Sequence, residues 1–209
     1  MDFANILIQT MNGLQYGLLL FLIASGLTLI FGIMHIINLA HGALYMVGAY
    51  LAWWLTSLVG QLFLAILLAI PLAVGIGVLI ERFLMQALYK RNHLDQVLLT
   101  FGLILVFDAL QGILWGNDVH SVAIPAFLSG SIALTDTLDY PVYRLFVSAL
   151  CGLIALAMYL ILQRTRLGMI IRGGASNREM VQGLGIDIRR IYTLVFAAGA
   201  ALTAFAGMI

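Results

Sequence analysis

Three groups of residues in this 209-residue chain have types and spacing that could do chemistry. The first is Ser176-Asn177-Arg178-Glu179. It fits the S-x-x-E capping box, in which the serine oxygen accepts from the Glu179 amide and the glutamate reaches back to the serine amide. Gly185 fits a C-terminal stop, because glycine takes the left-handed conformation cheaply. A helix of about two turns over 177–184 is expected between them, entered by a Gly173-Gly174 turn. Met180, Val181 and Leu184 would form its apolar face. So short a helix is marginal alone and needs a surface to pack on. That surface is either its own bundle or a cytoplasmic protein docking on it.

The second group is His35, Asn38 and His41, next to Gly42. A metal site does not follow from it. Two histidines six apart lie about 120° apart on a continuous helix, and no third ligand stands at zinc-site spacing. The group is either a polar turn at the membrane surface or a polar break lining a pathway. The third candidate is Asp108, the one acid well inside an apolar segment. A carboxylate there costs roughly 2.5–3.5 kcal/mol on insertion scales and is a functional candidate by default. Gln111 one turn on, or outside water, could satisfy it.

Several chemistries are excluded. Gly183-Leu184-Gly185 is not a phosphate loop, since G-x-G alone is weak and no strand precedes it. Lys90 is the one lysine, in Tyr89-Lys90-Arg91, so the chain holds no Walker A site of its own. Any ATP hydrolysis would belong to another subunit. No G-x-S-x-G, Cys–His pair or paired membrane carboxylates suggest an enzyme. Cys151 is single, so no intrachain disulfide forms, and it reads as a small buried hydrophobe. No cofactor and no metal are expected.

The elements that must position these groups are membrane helices. Hydrophobic residues make up 63% of the chain and charged residues 9%, against about 25% charged in an ordinary soluble domain. That excludes a soluble domain and a nucleic-acid binder, which needs a basic patch. No Asp, Glu, Lys or Arg stands between Asp2 and Glu81, room for three crossings of about 20 residues each. Runs such as Leu18–Ile23 do not alternate as a barrel strand would. The expected fold class is all-α: a polytopic transmembrane helical bundle forming one domain over 1–209. Six segments are expected near 12–33, 36–58, 61–81, 96–115, 143–163 and 190–209, the third kinked at Pro71.

Charge sets the orientation. The loop 82–95 carries Arg82, Lys90 and Arg91, and the loop 164–190 carries six arginines. The loop 116–142 has Asp118, Asp136 and Asp139 but no Lys or Arg. The positive-inside rule puts the first two loops in the cytoplasm and the N-terminus outside. Arg144 is the misfit, expected to snorkel or to pair with Asp139. With no Lys or Arg before Arg82, no cleaved signal peptide is expected. Small residues at Gly13/Gly17, at Ala69/Ala73/Gly77 and at Gly199/Thr203/Gly207 would let helices approach closely. The last apolar run stops at Ile209 without a polar tail, so the chain is expected to be a C-terminally truncated piece of a longer permease-like protein.

The run Gly26–Gly32 followed by Ile37-Asn38-Leu39-Ala40-His41-Gly42 through Tyr50 resembles the inner-membrane permeases of branched-chain amino acid ABC importers, of the LivH type. Thr165–Arg172, Ala175–Glu179 and Gly183–Ile186 resemble that family's cytoplasmic coupling loop, and the likeness runs the whole chain in order. Members more commonly have Ala-Val or similar where this chain has Gly173-Gly174, and they are usually longer by several helices. The resemblance implies a second homologous permease, two cytoplasmic ATPase subunits, a periplasmic binding protein, and leucine, isoleucine or valine as cargo in the bilayer of the cell's inner membrane. Arg172, Ser176, Asn177, Glu179, Met180, Leu184 and Gly185 would build the ATPase-coupling element. Asn38, His41, Gly42 and Asp108 would belong to the pathway. Relatives that carry urea or short amides are the alternative, and an ATP-independent channel or carrier is a further one.

Overall fold

A computed structural model of the chain describes residues 3–89, 91–135 and 138–209. Lys90 and Asp136, counted above in the charge of their loops, lie outside the described residues, as does the Met1-Asp2 start. The helices are α1 Phe3–Met34, α2 His41–Val59, α3 Leu62–Phe83, α4 His93–Trp115, α5 Val142–Arg164, α6 Arg166–Ser176, α7 Arg178–Gly183 and α8 Ile188–Met208. Six of them (α1 to α5 and α8) are long and apolar enough to cross a membrane. The loop after α4 carries a hairpin of β1 Ser131–Thr135 and β2 Leu138–Pro141, with Ile132 opposite Tyr140.

The bundle is organised around α8, which packs against α1, α2 and α3. Its sequence explains why. Ala197, Gly199, Ala200, Thr203, Ala204 and Gly207 carry almost no side-chain bulk, so neighbouring backbones come close. A Cβ on Gly26 would stand 2.6 Å from the Gly199 carbonyl, and one on Gly77 would stand 2.9 Å from Ala200 Cβ. The expected stripes Ala69/Ala73/Gly77 and Gly199/Thr203/Gly207 are therefore contact surfaces. Gly13 and Gly17 instead face outward, and a Cβ on either would meet nothing within 4 Å. The outer faces of α4 and α5 are largely uncovered.

Two expectations need correction. Arg144 does not pair with Asp139: its Nη1 donates to Asn12 Oδ1 at 2.6 Å, tying α5 to α1. The second segment does not start at 36. The chain leaves the helix at Met34, with His35 at φ +54, and resumes helix only at His41. The two arginine-bearing loops share one end of the bundle. There the end of α3 and the start of α8 join α6 and α7 in one cluster through Ile80, Met85, Ile171, Val181 and Ile188. At the opposite end the acidic loop lies on the far end of α2 and the start of α3, where Trp53 stacks on His120 and Phe63 on Phe127.

Candidate functional site

The break between α1 and α2 lies at membrane depth. His41 opens α2, and its Nε2 lies 3.0 Å from the Ile23 carbonyl and 2.5 Å from Thr203 Oγ1. A proton on Nε2 serves both oxygens. Ile23 lies eleven residues before the end of α1, about 16 Å at 1.5 Å per residue. Thr203 lies thirteen residues beyond the exposed Arg190, about 20 Å by the same rise. Both rulers place the start of α2 near the middle of a hydrocarbon core about 30 Å thick. Residues 35–40 must therefore climb back from the inner end of α1. They cover about 16 Å in seven steps, more than a helix rising 1.5 Å per residue could, and end in a turn closed by the His41 amide on the Asn38 carbonyl at 3.4 Å.

Exposure alternates along this climb. Ile36, Asn38 and Ala40 are buried, whereas His35, Ile37 and Leu39 face away from the bundle. Gly42 and Tyr45 continue the outward face along α2. The buried face is polar and incompletely satisfied: both amide atoms of Asn38 and Nδ1 of His41 have no hydrogen-bond partner among the described residues. No side chain caps α2, and its first turn holds no acid. The His41 and Ala43 amides donate to the Asn38 and Ala40 carbonyls at 3.4 and 3.0 Å, so what α2 brings to the membrane interior is the positive end of its dipole.

Asp108 does not join this group. It is exposed on α4, seven residues from the helix end at Trp115. Gln111 is not its partner either, since Gln111 Nε2 donates to Tyr50 Oη at 2.7 Å and to the Gly116 carbonyl at 2.5 Å. The first bond holds α4 to α2 and the second closes the end of α4.

The second site lies on the opposite side from the acidic loop. Ser176 is not a helix cap: it ends α6, and Gly173 and Gly174 lie inside that helix. Both glycines serve close packing, because a Cβ on Gly174 would stand 3.2 Å from Ile188 and one on Gly173 3.4 Å from Val181. The cap of α7 is Asn177, whose Oδ1 accepts from the Met180 amide at 2.9 Å. Gly185 has φ +80. Its amide donates to the Gln182 carbonyl at 2.9 Å and the Ile186 amide to Val181 at 3.4 Å, the paired bonds of a Schellman stop. Only Val181 of α7 turns inward. Met180 is 56% exposed and Leu184 73% exposed, with Arg172, Arg178 and Glu179 in solvent beside them. The expected apolar face therefore splits, one residue anchoring the helix and two pointing away.

Sequence reasoning missed Glu81. This acid is fully buried in the last turn of α3. Its signal was present, as the first charge after a long uncharged run, but it read only as the end of the third segment. Among the described residues no group of three or more His, Cys, Asp or Glu side chains could hold a metal.

Comparison with known proteins gives these two sites a context. The family described as "Branched-chain amino acid transport system / permease component" matches residues 9–209. The chain belongs to this family. It is 30% identical to the high-affinity branched-chain amino acid transport system permease protein BraD of Pseudomonas aeruginosa, over 96% of this chain and 69% of that protein. It is 27% identical to the permease protein LivH of Escherichia coli K12, over 100% of this chain and 71% of that one. The LivH of Salmonella typhimurium is 26% identical, over 100% of this chain and 71% of that protein. No solved structure matches the chain. For a transport permease, an unfilled polar break at mid-membrane and a helix presenting two apolar side chains to the aqueous side are the features to explain.

Proposed function

We propose that this permease forms, with a second homologous permease, the membrane pathway of an ATP-driven importer for leucine, isoleucine and valine. Two cytoplasmic ATPase subunits dock on the coupling helices of the two permeases, one of them on α7, and a periplasmic binding protein delivers cargo to the opposite face. The N-terminus of α1 lies outside the inner membrane, in keeping with the basic loops clustering at the α7 end. This subunit hydrolyses nothing. It supplies the path and the lever.

The observation that carries the reading is the outward strip His35-Ile37-Leu39. Non-helical backbone at membrane depth is tolerated only where protein covers it or water fills the space beside it. Among the described residues no element covers that face, so the cargo path runs along it, between this permease and its homologue. Gly42 keeps the wall of α2 low there, and the unpartnered Asn38 side chain lies just behind. The α7 geometry supports the other half of the reading. A helix anchored by one valine, capped at both ends and showing Met180 and Leu184 outward suits a partner's apolar groove.

Uptake of radiolabelled leucine tests the proposal. The gene and those of its partner subunits are expressed in cells lacking their own importer. The expected result is uptake that isoleucine and valine suppress and that disappears when the ATPase genes are left out. Uptake surviving without the ATPases would contradict it and leave a carrier. Uptake of urea or a short amide in place of leucine would overturn the cargo and leave the coupling argument standing.

A further inference from the structure

Glu81 is completely buried, and among the described residues no basic side chain pairs with it. A buried acid without a cation is costly unless every lone pair is met by a donor. Three donors meet this one. The Tyr89 hydroxyl and the Thr193 hydroxyl donate to its two oxygens, the latter at 2.6 Å, and Gln86 Nε2 donates at 3.4 Å. Burial, reinforced by the hydrogen bond to Glu81, pushes the Tyr89 phenol far above its usual range, so it keeps its proton and donates. The pocket around Glu81 is thus shaped for a group that only accepts.

The cluster reaches α7 by direct contact. Tyr89 stands edge-on to Tyr192, with ring centres 5.2 Å apart. Arg178, the first residue of α7, lies 3.4 Å from the Tyr192 hydroxyl. Beside these groups a groove of about 570 Å³ separates α7 from the segment after α3 (Gln86, Ala87, Tyr89) and the start of α8. Thr193 has one proton and two acceptors within reach: Glu81 Oε2, and the Arg189 carbonyl at 3.1 Å. Turning that hydroxyl to the carbonyl keeps Thr193 paired but leaves Glu81 Oε2 with Gln86 alone at 3.4 Å, so this link between α8 and α3 opens only at a cost to Glu81.

We infer that Glu81 is a positioning residue for transport, joining α3 to α8 and, through Tyr89, Tyr192 and Arg178, to α7, so that an ATPase moving α7 moves the membrane helices. The inference rests on the reading of α7 as the docking helix. Glu81→Gln places an amide N–H₂ where three donors converge. In proteoliposomes holding the whole importer, this variant is expected to retain its ATPase subunits at the normal level. Leucine uptake per ATP hydrolysed should fall about tenfold or more, as loss of a hydrogen bond to a charged group allows. Tyr89→Phe and Thr193→Val each remove one donor and should lower the same ratio by a smaller factor, and Glu81→Asp should restore part of it.

An unchanged ratio in Glu81→Gln would overturn the inference. So would variants that lose assembled importer and uptake in proportion, because a mere structural bolt does that. If Glu81→Gln does not assemble, Tyr89→Phe and Thr193→Val decide by the same ratio. ATPase capture that ignores charges placed at Met180 and Leu184 would remove the docking reading instead, and is measured separately.

Discussion

Replacing Met180 and Leu184 together by glutamate should reduce leucine uptake to a few per cent of normal while the amount of permease in the membrane stays the same. The two side chains are four residues apart and so share a helix face. Both are more than half exposed, and neither supports its own bundle. Full burial of such a side chain in a partner's groove stabilises the contact by about 1.5–3 kcal/mol. The double variant loses that twice and adds two charges to be desolvated, enough for a hundredfold or greater loss at about 1.4 kcal/mol per decade. Co-purification of the ATPase with the permease measures the effect directly. Gly185→Val should act in the same direction but less, since a β-branched residue at φ +80 costs about 1–2 kcal/mol and disturbs the stop of α7. Normal ATPase capture by the double variant would show that α7 is only a surface helix.

Gly48→Val should remove the folded permease altogether. Gly48 lies where α2 crosses α8, and a Cβ there would overlap the Ala204 backbone, which has no flexible end to swing aside. Gly207 makes the reciprocal approach to the Tyr45 backbone, so α2 cannot shift along α8 to relieve the clash. Overpacking of this kind typically costs about 1–3 kcal/mol even where a core can adjust. Here two backbones must part by an ångström or more, taking the His41–Thr203 contact with them. Gly75→Ala is the matched control, because nothing lies within 4 Å of its Cβ. The expected outcome is monodisperse detergent-solubilised protein from Gly75→Ala and aggregate or none from Gly48→Val. Equal yields would mean that the α2–α8 crossing is looser than described.

The parts of this fold that were legible in the sequence are those set by composition and charge. An uncharged stretch from 3 to 80 has to be membrane helix, and arginine-rich loops have to gather on one side. Small residues at a spacing of four have to be contacts unless they face outward, as Gly13 and Gly17 do. Gly185 could be read because its backbone requirement is local. The depth of the 35–40 break could not, because Ile36, Ile37 and Leu39 are as apolar as any helix and only His41's contacts across α1 and α8 reveal where α2 begins. Ser176 and Asn177 are both good caps. Packing of Gly173 and Gly174 against α7 and α8 extends α6 and hands the cap to Asn177. Glu81 read only as the end of the third segment because its donors come from Tyr89 and from Thr193, the latter more than a hundred residues on.

The most direct test of the pathway is thiol labelling along the break in the assembled importer. Single cysteines at Ile36, Ile37, Leu39 and Ala40, in a Cys151→Ala background, are challenged with a membrane-impermeant thiol reagent. The expected result is reaction at Ile37→Cys and Leu39→Cys despite their depth, at rates that change when loaded binding protein and ATP are added. Ile36→Cys and Ala40→Cys should stay unreactive. Silence at 37 and 39 with the impermeant reagent would mean that the strip is covered by protein or lipid and that the cargo passes elsewhere.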